Sequence, residues 1–371
     1  MGRFRSQAVG MDIDRGAIKA VQITPGGGGA LQHVGFRRLP PGAVSEGEVA
    51  DHDLLVSEIR EFWSTHSFKG KSVALGIANQ KVVVRLLDFP RMSKEDLAGA
   101  INFEAQDHIP MPLDEAVMDY QVLGPQGEGS DLDRILIVAA QKEMVFRYTA
   151  AVREAGLRPV GVDVKAFSLL RSTLPDALFE DEGAVLLLDI GTELTNLVVS
   201  QSARPTLTRF IPGGSGYFIQ AIADAAGLSE DEAEKQLMNP EVRIGYADAT
   251  VGAEVEEAGD GSGEGLDPAL IYDVRRGLED AAQTLAEDVQ RSIEYHYSQP
   301  GSREVSQVVV SGEGALVAGL DSYLGELLGL PAQLAHPMQK LSTNRSNVPD
   351  EQLQMMEPVL AVALGLALED E

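Results

Sequence analysis

The chain opens with alternating apolar and turn-forming segments that are typical of a β-hairpin. Two short apolar, β-branched runs cover residues 7–13 and 17–24, and the turn at 14–16 joins them. A third strand is predicted after the glycine run at 26–29. These runs predict a sheet at the beginning of the chain.

The rest of the first half alternates between helical and strand periodicity. Helices are predicted at 53–66, 93–106, 141–155 and 164–173, with Ser93 as the N-cap of the second one. Strands are predicted at 72–78, 82–89, 116–123, 134–140 and 159–163. The first half is therefore predicted to be mixed α/β.

The second half begins with a repeat of the opening hairpin. A strand at 184–189, a turn at 191–193 and a strand at 194–200 place Asp189 at a strand end, as Asp12 is placed in the first hairpin. The elements predicted after it are helices at 213–226, 229–238 and 268–298, a strand at 307–310, a helix ending at 328 and a last helix at 357–368. The acidic, glycine-rich residues 254–265 have no periodicity and predict a surface loop.

Composition narrows the class of protein. The 371 residues exceed one ordinary hydrophobic core, and they include no cysteine and no apolar run of the roughly 18 residues that a membrane span needs. We therefore expect a cytoplasmic protein without disulfides, and Asp12 and Asp14 interrupt any N-terminal signal peptide. The formal charge of −27 disfavours nucleic-acid binding.

Two hairpins with an aspartate at each strand end can face each other across a cleft and hold a polyphosphate with a divalent cation. Mg²⁺ prefers carboxylate and water oxygens, so Asp12 and Asp189 are the candidate metal ligands. Gly16 and Gly191 let backbone N–H groups approach phosphate oxygens, and Lys19 supplies a positive charge. Each feature alone is more often an ordinary turn or a solvated lysine.

The turn at Gly312-Glu313-Gly314 follows a buried strand and is the third candidate element, against which an adenine could lie. Glycines also simply cap helices, so this turn by itself is as consistent with a helix cap as with an adenine contact. The order of hairpin, hairpin, strand with glycine turn and closing small-residue helix is the one found in actin-like ATPases.

Five segments of the sequence resemble the PilM family of type IV pilus assembly proteins, in the family's order and over nearly the whole chain. They read FEAQDHIPMPLDEAVMDYQVL, LDIGTELTNLVV, PGGSGYFIQAIADAAGLSEDEAEKQ, VVVSGEGALVAGLDSYLGELLGLPAQ and PVLAVALGLAL. The resemblance implies an α/β, two-lobed actin-like ATPase fold with a small inserted subdomain in the first lobe, as in FtsA. It implies a first lobe at 1–165 with the insertion at 79–140, a second lobe at 166–356 with a helical subdomain at 213–303 and the acidic loop at 240–268, and a closing helix at 357–371.

The resemblance also implies a function. It points to a cytoplasmic ATP-binding scaffold, peripheral at the inner membrane, that binds the cytoplasmic tail of the membrane protein PilN through a groove on the first lobe. The expected nucleotide contacts are Asp12, Asp14, Arg15, Gly16, Lys19, Asp189, Gly191, Thr192, Gly213, Gly214, Lys235, Gly312, Glu313 and Gly314, with ATP and Mg²⁺ as cofactors. The expected PilN contacts are Glu104, Ile109, Pro110 and Tyr120. The alternative is that Phe103, Ile109 and Tyr120 form the core of the inserted subdomain and that the prolines only shape a loop.

Three positions depart from the pattern of the family. Asp14 stands where a glycine is usual, Lys165 where relatives often carry glutamate, and Glu313 where the adenine turn has glycine. The loss of a glutamate that could orient water makes ATP hydrolysis slow or absent in this interpretation. An active ATPase and an FtsA-like filament-forming protein are the alternatives, and the acidic C-terminus disfavours the second. The oligomeric state stays open, a homo-oligomer included.

Overall fold

The structure is a computed structural model that describes residues 8–24, 29–126, 129–174, 183–239, 242–245 and 267–368. Most of the predicted acidic loop, including 254–265, lies outside the described residues. Among the residues described, no helix is both long enough and apolar enough to cross a membrane.

The first sheet has six strands in the order β10-β6-β1-β2-β3-β16. These strands are β1 (Val9–Ile13), β2 (Ala17–Thr24), β3 (Ala30–Arg38), β6 (Ser72–Ile77), β10 (Arg158–Val164) and β16 (Thr343–Asn344). β1, β2 and β3 form an antiparallel meander, whereas β6 pairs with β1 and β10 with β6 in parallel. A two-stranded ribbon follows β3 along the chain and consists of β4 (Val44–Ser45) and β5 (Glu48–Val49).

Four helices belong to this sheet, and they share one core with it: α1 (His52–Thr65), α3 (Lys142–Glu154), α4 (Lys165–Thr173) and α10 (Ala361–Ala367). α10 follows a short 3₁₀ turn at Glu357–Leu360 and packs directly on β1 and α4. The fit is close, because a Cβ atom on Gly365 of α10 would lie 1.9 Å from the Ser168 carbonyl oxygen. The end of the described chain thus completes the core of the sheet that its beginning forms.

A separate sheet of three antiparallel strands lies between β6 and α3 in the sequence. Its strands are β7 (Val82–Pro90), β8 (Ala116–Pro125) and β9 (Leu132–Gln141), in the order β7-β9-β8. α2 (Lys94–His108) covers one face, and Ser93 caps it by accepting a hydrogen bond from the Asp96 N–H, as its sequence predicts. This unit has a small core of its own around Ile101, Ile135 and Ile137.

The second large sheet repeats the pattern of the first. Its strands are β11 (Ala184–Ile190), β12 (Leu194–Gln201), β13 (Arg204–Pro212), β14 (Val305–Ser311) and β15 (Ala332–Leu334), in the order β13-β12-β11-β14-β15. It too combines an antiparallel meander with two parallel strands. One face packs on α5 (Ser215–Ala226), α6 (Glu230–Leu237), α7 (Pro268–Tyr297) and α8 (Leu320–Leu328).

Most predicted elements occur within a few residues of their expected bounds, but the sequence prediction omitted several. β13, β15, β16 and the helix α9 (Asp350–Met356) were not expected. The helix predicted from 213 begins at Ser215, because Gly213, with φ 112°, and the extended Gly214 precede it. The lobe and subdomain boundaries inferred from the resemblance stay a prediction.

Candidate functional site

Lys19 is the centre of a buried charge cluster at the end of the first hairpin. The register of β1 and β2 places it opposite Asp12, and its side chain is only 3% exposed. Its ammonium nitrogen lies 3.3 Å from an oxygen of Asp12, 2.5 Å from Asp14 and 3.6 Å from Glu313. Three carboxylates therefore surround one ammonium group.

Lys165, the first residue of α4, brings a second ammonium group to the same place. Its nitrogen lies 2.6 Å from Oδ1 of Asp12 and 3.3 Å from the Ile13 carbonyl oxygen. The two oxygens of Asp12 thus face two different lysines, Lys165 on one side and Lys19 on the other.

The protonation equilibria follow from this arrangement. Burial would lower the pKa of Lys19, but Asp14 and three further carboxylates hold that pKa well above its ordinary value. Burial alone would likewise lower the pKa of Lys165, which Asp12 and Asp14 raise instead. For Asp14, burial opposes ionisation, yet Lys19 and Lys165 keep its pKa below the usual value. The pKa of Glu313 is raised, first by burial and then by the neighbouring charge of Asp14.

Asp14 also shapes the turn between β1 and β2. Its Oδ1 accepts hydrogen bonds from the N–H groups of Gly16, at 2.8 Å, and Ala17, at 3.0 Å. An aspartate commonly closes a turn in this way. Of the two glycine N–H groups that the sequence analysis assigned to phosphate oxygens, that of Gly16 is therefore already bonded to a carboxylate of the protein, and that of Gly191 donates to the Leu194 carbonyl oxygen at 3.0 Å.

Asp189 is held at the matching position of the second hairpin. The Asn196 side-chain amide donates to it at 2.9 Å, and the Ser311 hydroxyl donates to it at 3.3 Å. Burial raises the pKa of Asp189, and so does the charge of Asp12. Both aspartates thus lie in one electrostatic environment, as the hairpin repeat predicts.

The two hairpin turns are in direct contact. A Cβ atom on Gly16 would lie 2.2 Å from Thr192 Oγ1, and the side chain of Arg15 in the first turn lies 3.2 Å from that of Glu193 in the second. Gly214, which follows β13, lies close to the second turn, since a Cβ atom there would be 2.1 Å from the Gly191 carbonyl oxygen. The space beside the turns, lined by Asp14, Lys165 and Asp189 among others, has a volume of about 30 Å³, enough for about two water molecules at most. The cleft is therefore closed in this arrangement.

The glycine turn after β14 completes the site from the other side. Gly312 has φ 86°, a conformation that glycine adopts readily, and a Cβ there would lie 2.5 Å from the Ile190 carbonyl oxygen. The hydroxyl of Thr192 donates to Glu313 at 3.4 Å. Gly314 packs equally closely on the Ile190 side chain.

Arg38 is a site residue that the sequence analysis missed. It pairs with Glu234 of α6 at 2.9 Å and approaches Glu313 at 3.9 Å. Its position was available from the hairpin pattern, because it lies opposite Ala17, next to the predicted phosphate turn. Lys235 and Arg15, in contrast, were predicted as nucleotide contacts. Lys235 is exposed on α6. Arg15 pairs with Glu193 at 3.2 Å.

Asp12, one of the two predicted magnesium ligands, does not fit a divalent cation in this arrangement. Asp12 already has an ammonium group on each oxygen, and a cation beside it would be repelled by Lys19 and Lys165. In the part of the chain that the structure describes, no group of three or more histidine, aspartate and glutamate side chains is arranged to hold a metal.

Comparison with known proteins identifies the family. The model of the family described as type IV pilus assembly protein PilM matches residues 10–251 and 272–371. The chain belongs to the PilM family. A solved structure described as a PilM–PilN type IV pilus biogenesis complex is similar over 98% of both chains, with 30% identity and a TM-score of 0.79.

Two more distant structures show the fold to which PilM belongs. MreB5 of Spiroplasma citri bound to ADP has 12% identity and a TM-score of 0.56, covering 97% of this chain and 95% of its own. The ethanolamine utilization protein EutJ from Carboxydothermus hydrogenoformans has 15% identity and a TM-score of 0.55, covering 97% and 88%. The predicted PilM family and the two-lobed actin-like fold are both confirmed.

The three departures from the PilM pattern meet in one place. Asp14 and Glu313 both contact Lys19, and Lys165 contacts Asp12, which also contacts Lys19. Two additional acids and one additional base thus form a single network across the cleft. The three positions, which belong to three different motifs of the sequence, are therefore coupled in the structure.

The residues predicted to contact PilN lie on and under α2. Glu104 and Pro110 are exposed, Ile109 is 5% exposed within the small core, and Tyr120 is half-buried against that core. Phe103 on the same helix was considered only as a core residue of the inserted subdomain, which is wrong, because it is 71% exposed. An exposed aromatic residue is a better candidate contact than a buried isoleucine.

Proposed function

We propose that this chain is a scaffold of the type IV pilus assembly platform at the cytoplasmic face of the inner membrane, where it binds the cytoplasmic N-terminal tail of PilN. Membership of the PilM family carries the proposal. The similar structure described as a PilM–PilN complex supports PilN as the partner, because the similarity covers 98% of both chains at 30% identity. Binding, rather than chemistry, is the activity proposed.

The proposed contact surface is the exposed side of α2 with the segment that follows it. Phe103, Glu104 and Pro110 present apolar and acidic groups side by side. A peptide that carries a basic group next to apolar side chains would match this surface. Ile109 and Tyr120 would act by supporting α2 from the core beneath it.

ATP binding is the second part of the proposal, with hydrolysis slow or absent. The actin-like fold supports it, and the MreB5 structure of that fold is described as bound to ADP. In this chain the carboxylates of Asp14 and Glu313 already neutralise Lys19. Nucleotide entry would therefore require the two turns to separate and Lys19 to exchange carboxylates for phosphate oxygens.

A tail-binding measurement tests the first part. We expect a peptide that copies the PilN tail to bind the full chain, and Phe103→Ala to weaken binding about tenfold, a typical loss for an exposed aromatic anchor. Tyr272→Ala is the matched control, since Tyr272 is 67% exposed and lies on α7, which packs against the second large sheet. Equal affinities in the two variants would place the tail elsewhere, and absence of peptide binding would contradict the scaffold function.

Calorimetric titration with ATP, with and without Mg²⁺ and the tail peptide, tests the second part. A shift in peptide affinity on ATP binding would support a nucleotide-gated scaffold. Intact peptide binding without any ATP binding would support the scaffold function and contradict the proposal that the chain binds ATP.

A further inference from the structure

A second and much larger groove lies away from the closed cleft. It has a volume of about 1350 Å³, and its lining shares no residue with that of the space between the hairpin turns. The three-stranded sheet forms one side through β7, and β13 with the end of α7 forms the other. None of the residues proposed to contact PilN lines it.

β13 presents its backbone edge to this groove. It is the last strand in its sheet, and within the described residues it pairs only with β12. Residues 204–209 of β13 line the groove consecutively. Alternate residues would line a cavity that faces one side of a sheet, so a consecutive run means that the strand edge points inward. A free edge is a template for an added strand.

The side of the groove opposite β13 contributes apolar side chains. Val84 and Leu86 of β7 line the groove on this side, and both are half-buried. The groove therefore combines hydrogen-bonding backbone with an apolar surface beneath it, which suits an extended peptide.

The charge of the groove is opposite to that of the protein. The charged residues in its lining are five arginines and one acid, in a chain with 30 basic and 57 acidic residues: Arg85, Arg134, Arg204, Arg209, Arg303 and Asp88. Asp88 is occupied by Arg134, at 2.9 and 3.1 Å. Arg85 and Arg209 donate to neutral oxygens, those of Val84 and Ser292. Arg85 and Arg209 can therefore still donate hydrogen bonds to carboxylates of a partner.

We propose that this groove binds an extended acidic segment of a partner protein, which adds to β13 as a further strand and places its carboxylates on Arg85, Arg204 and Arg209. Backbone pairing supplies affinity, and the arginines select acidic side chains. The surface goes beyond the proposed PilN contact, and it gives the scaffold a second docking site between the inserted sheet and the second lobe.

The test uses the full chain and a nine-residue peptide, the length of β13, that alternates glutamate with threonine. Fluorescence anisotropy measures its affinity for the unmodified chain, for Arg85→Glu/Arg204→Glu and for the control Arg345→Glu, an exposed arginine outside the groove. We expect the double variant to bind about 100-fold more weakly, roughly tenfold for each reversed charge, and the control to bind within about twofold. A lysine–threonine peptide should not bind.

Amide hydrogen exchange supplies an independent readout of strand addition. The peptide should slow exchange at the backbone of β13. Equal affinity in the double variant and the control would overturn the proposal. Binding without protection of β13 would also overturn it, as would competition by inorganic polyphosphate of equal charge at equal concentration, because the groove would then be a general anion site.

Discussion

At the scale of single residues, the main feature of the cleft is that several carboxylates contact the single ammonium group of Lys19. Three carboxylates, those of Asp12, Asp14 and Glu313, lie within 4 Å of its ammonium group. In the proposed function a nucleotide would have to compete with these internal acids, since an ammonium group that is already neutralised attracts phosphate weakly.

Removing one acid should therefore strengthen ATP binding. Glu313→Gln keeps the size of the side chain but removes its charge, and we expect the affinity for ATP to rise about tenfold, which corresponds to about 1.4 kcal/mol. The matched control is Glu234→Gln, which removes a carboxylate that contacts Arg38 at 2.9 Å and is not a Lys19 partner. Titration calorimetry gives both values. An unchanged or lower ATP affinity in Glu313→Gln would show that this carboxylate does not compete with phosphate.

The lowered pKa of Asp14 predicts how acid affects stability. Because its folded-state pKa lies below the ordinary 3.8, Asp14 stabilises the fold fully above about pH 4, and this contribution is lost as the pH falls through the lowered pKa. Glu313 acts in the opposite direction: its pKa is raised, so it takes up a proton and adds stability as the pH falls towards 4.5.

Asp14→Asn should lower the free energy of unfolding at neutral pH by about 2 kcal/mol, since a partner of a buried lysine is lost. Its stability should then decline less between about pH 4 and pH 2 than that of the unmodified chain. Urea unfolding at a series of pH values measures both effects, with the exposed Asp53→Asn as the control. Parallel pH profiles for Asp14→Asn and the unmodified chain would contradict the assignment.

At the scale of elements, the packing of α10 on α4 requires a residue without a side chain. A Cβ on Gly365 would lie 1.9 Å from the Ser168 carbonyl oxygen, which is backbone and cannot move alone. Gly365→Ala should therefore destabilise the chain by about 3 kcal/mol. Gly99→Ala in α2 is the matched control, because nothing lies within 4 Å of a Cβ there.

That control should stabilise the chain by about 0.5–1 kcal/mol, the usual gain of alanine over glycine in a helix. Urea unfolding of both variants checks the pair. A small loss in Gly365→Ala would mean that α10 can shift away from α4 without cost.

Three strands that the sequence analysis failed to predict, β13, β15 and β16, lack a strong local signal. β13 contains prolines near both ends and arginines at two positions, so it lacks the continuous apolar run by which β11 and β12 were found. β15 and β16 have only three and two residues, and pairing with longer neighbours is what makes them strands. Tertiary context, rather than local preference, decides such elements.

At the scale of the whole molecule, the formal charge of −27 must be accommodated in one fold. Repulsion among surface carboxylates destabilises the compact state and is screened by salt, whereas the buried lysine cluster is screened much less. The free energy of unfolding should therefore rise by roughly 1 kcal/mol when the salt concentration increases from about 0.02 to 0.3 M. Urea unfolding at several concentrations of potassium chloride measures this free energy. If it decreased with salt, surface ion pairs would instead be the dominant electrostatic contribution to stability.

The sequence by itself determined the fold class, the repeated hairpins and the aspartates at their strand ends. These features depend on local periodicity and on turns, which short stretches of chain encode. It also determined the family, because five long segments carry the PilM pattern in order.

Only the tertiary structure showed that Asp14, Lys165 and Glu313 form one network. These residues come from a hairpin turn, the start of a helix and a turn after β14, and they meet because two sheets close on each other. The arginine-lined groove likewise depends on two strands, β7 and β13, that are far apart in the chain. Charges that meet across a cleft leave no periodic signal in the sequence, since their interaction is set by distance in space.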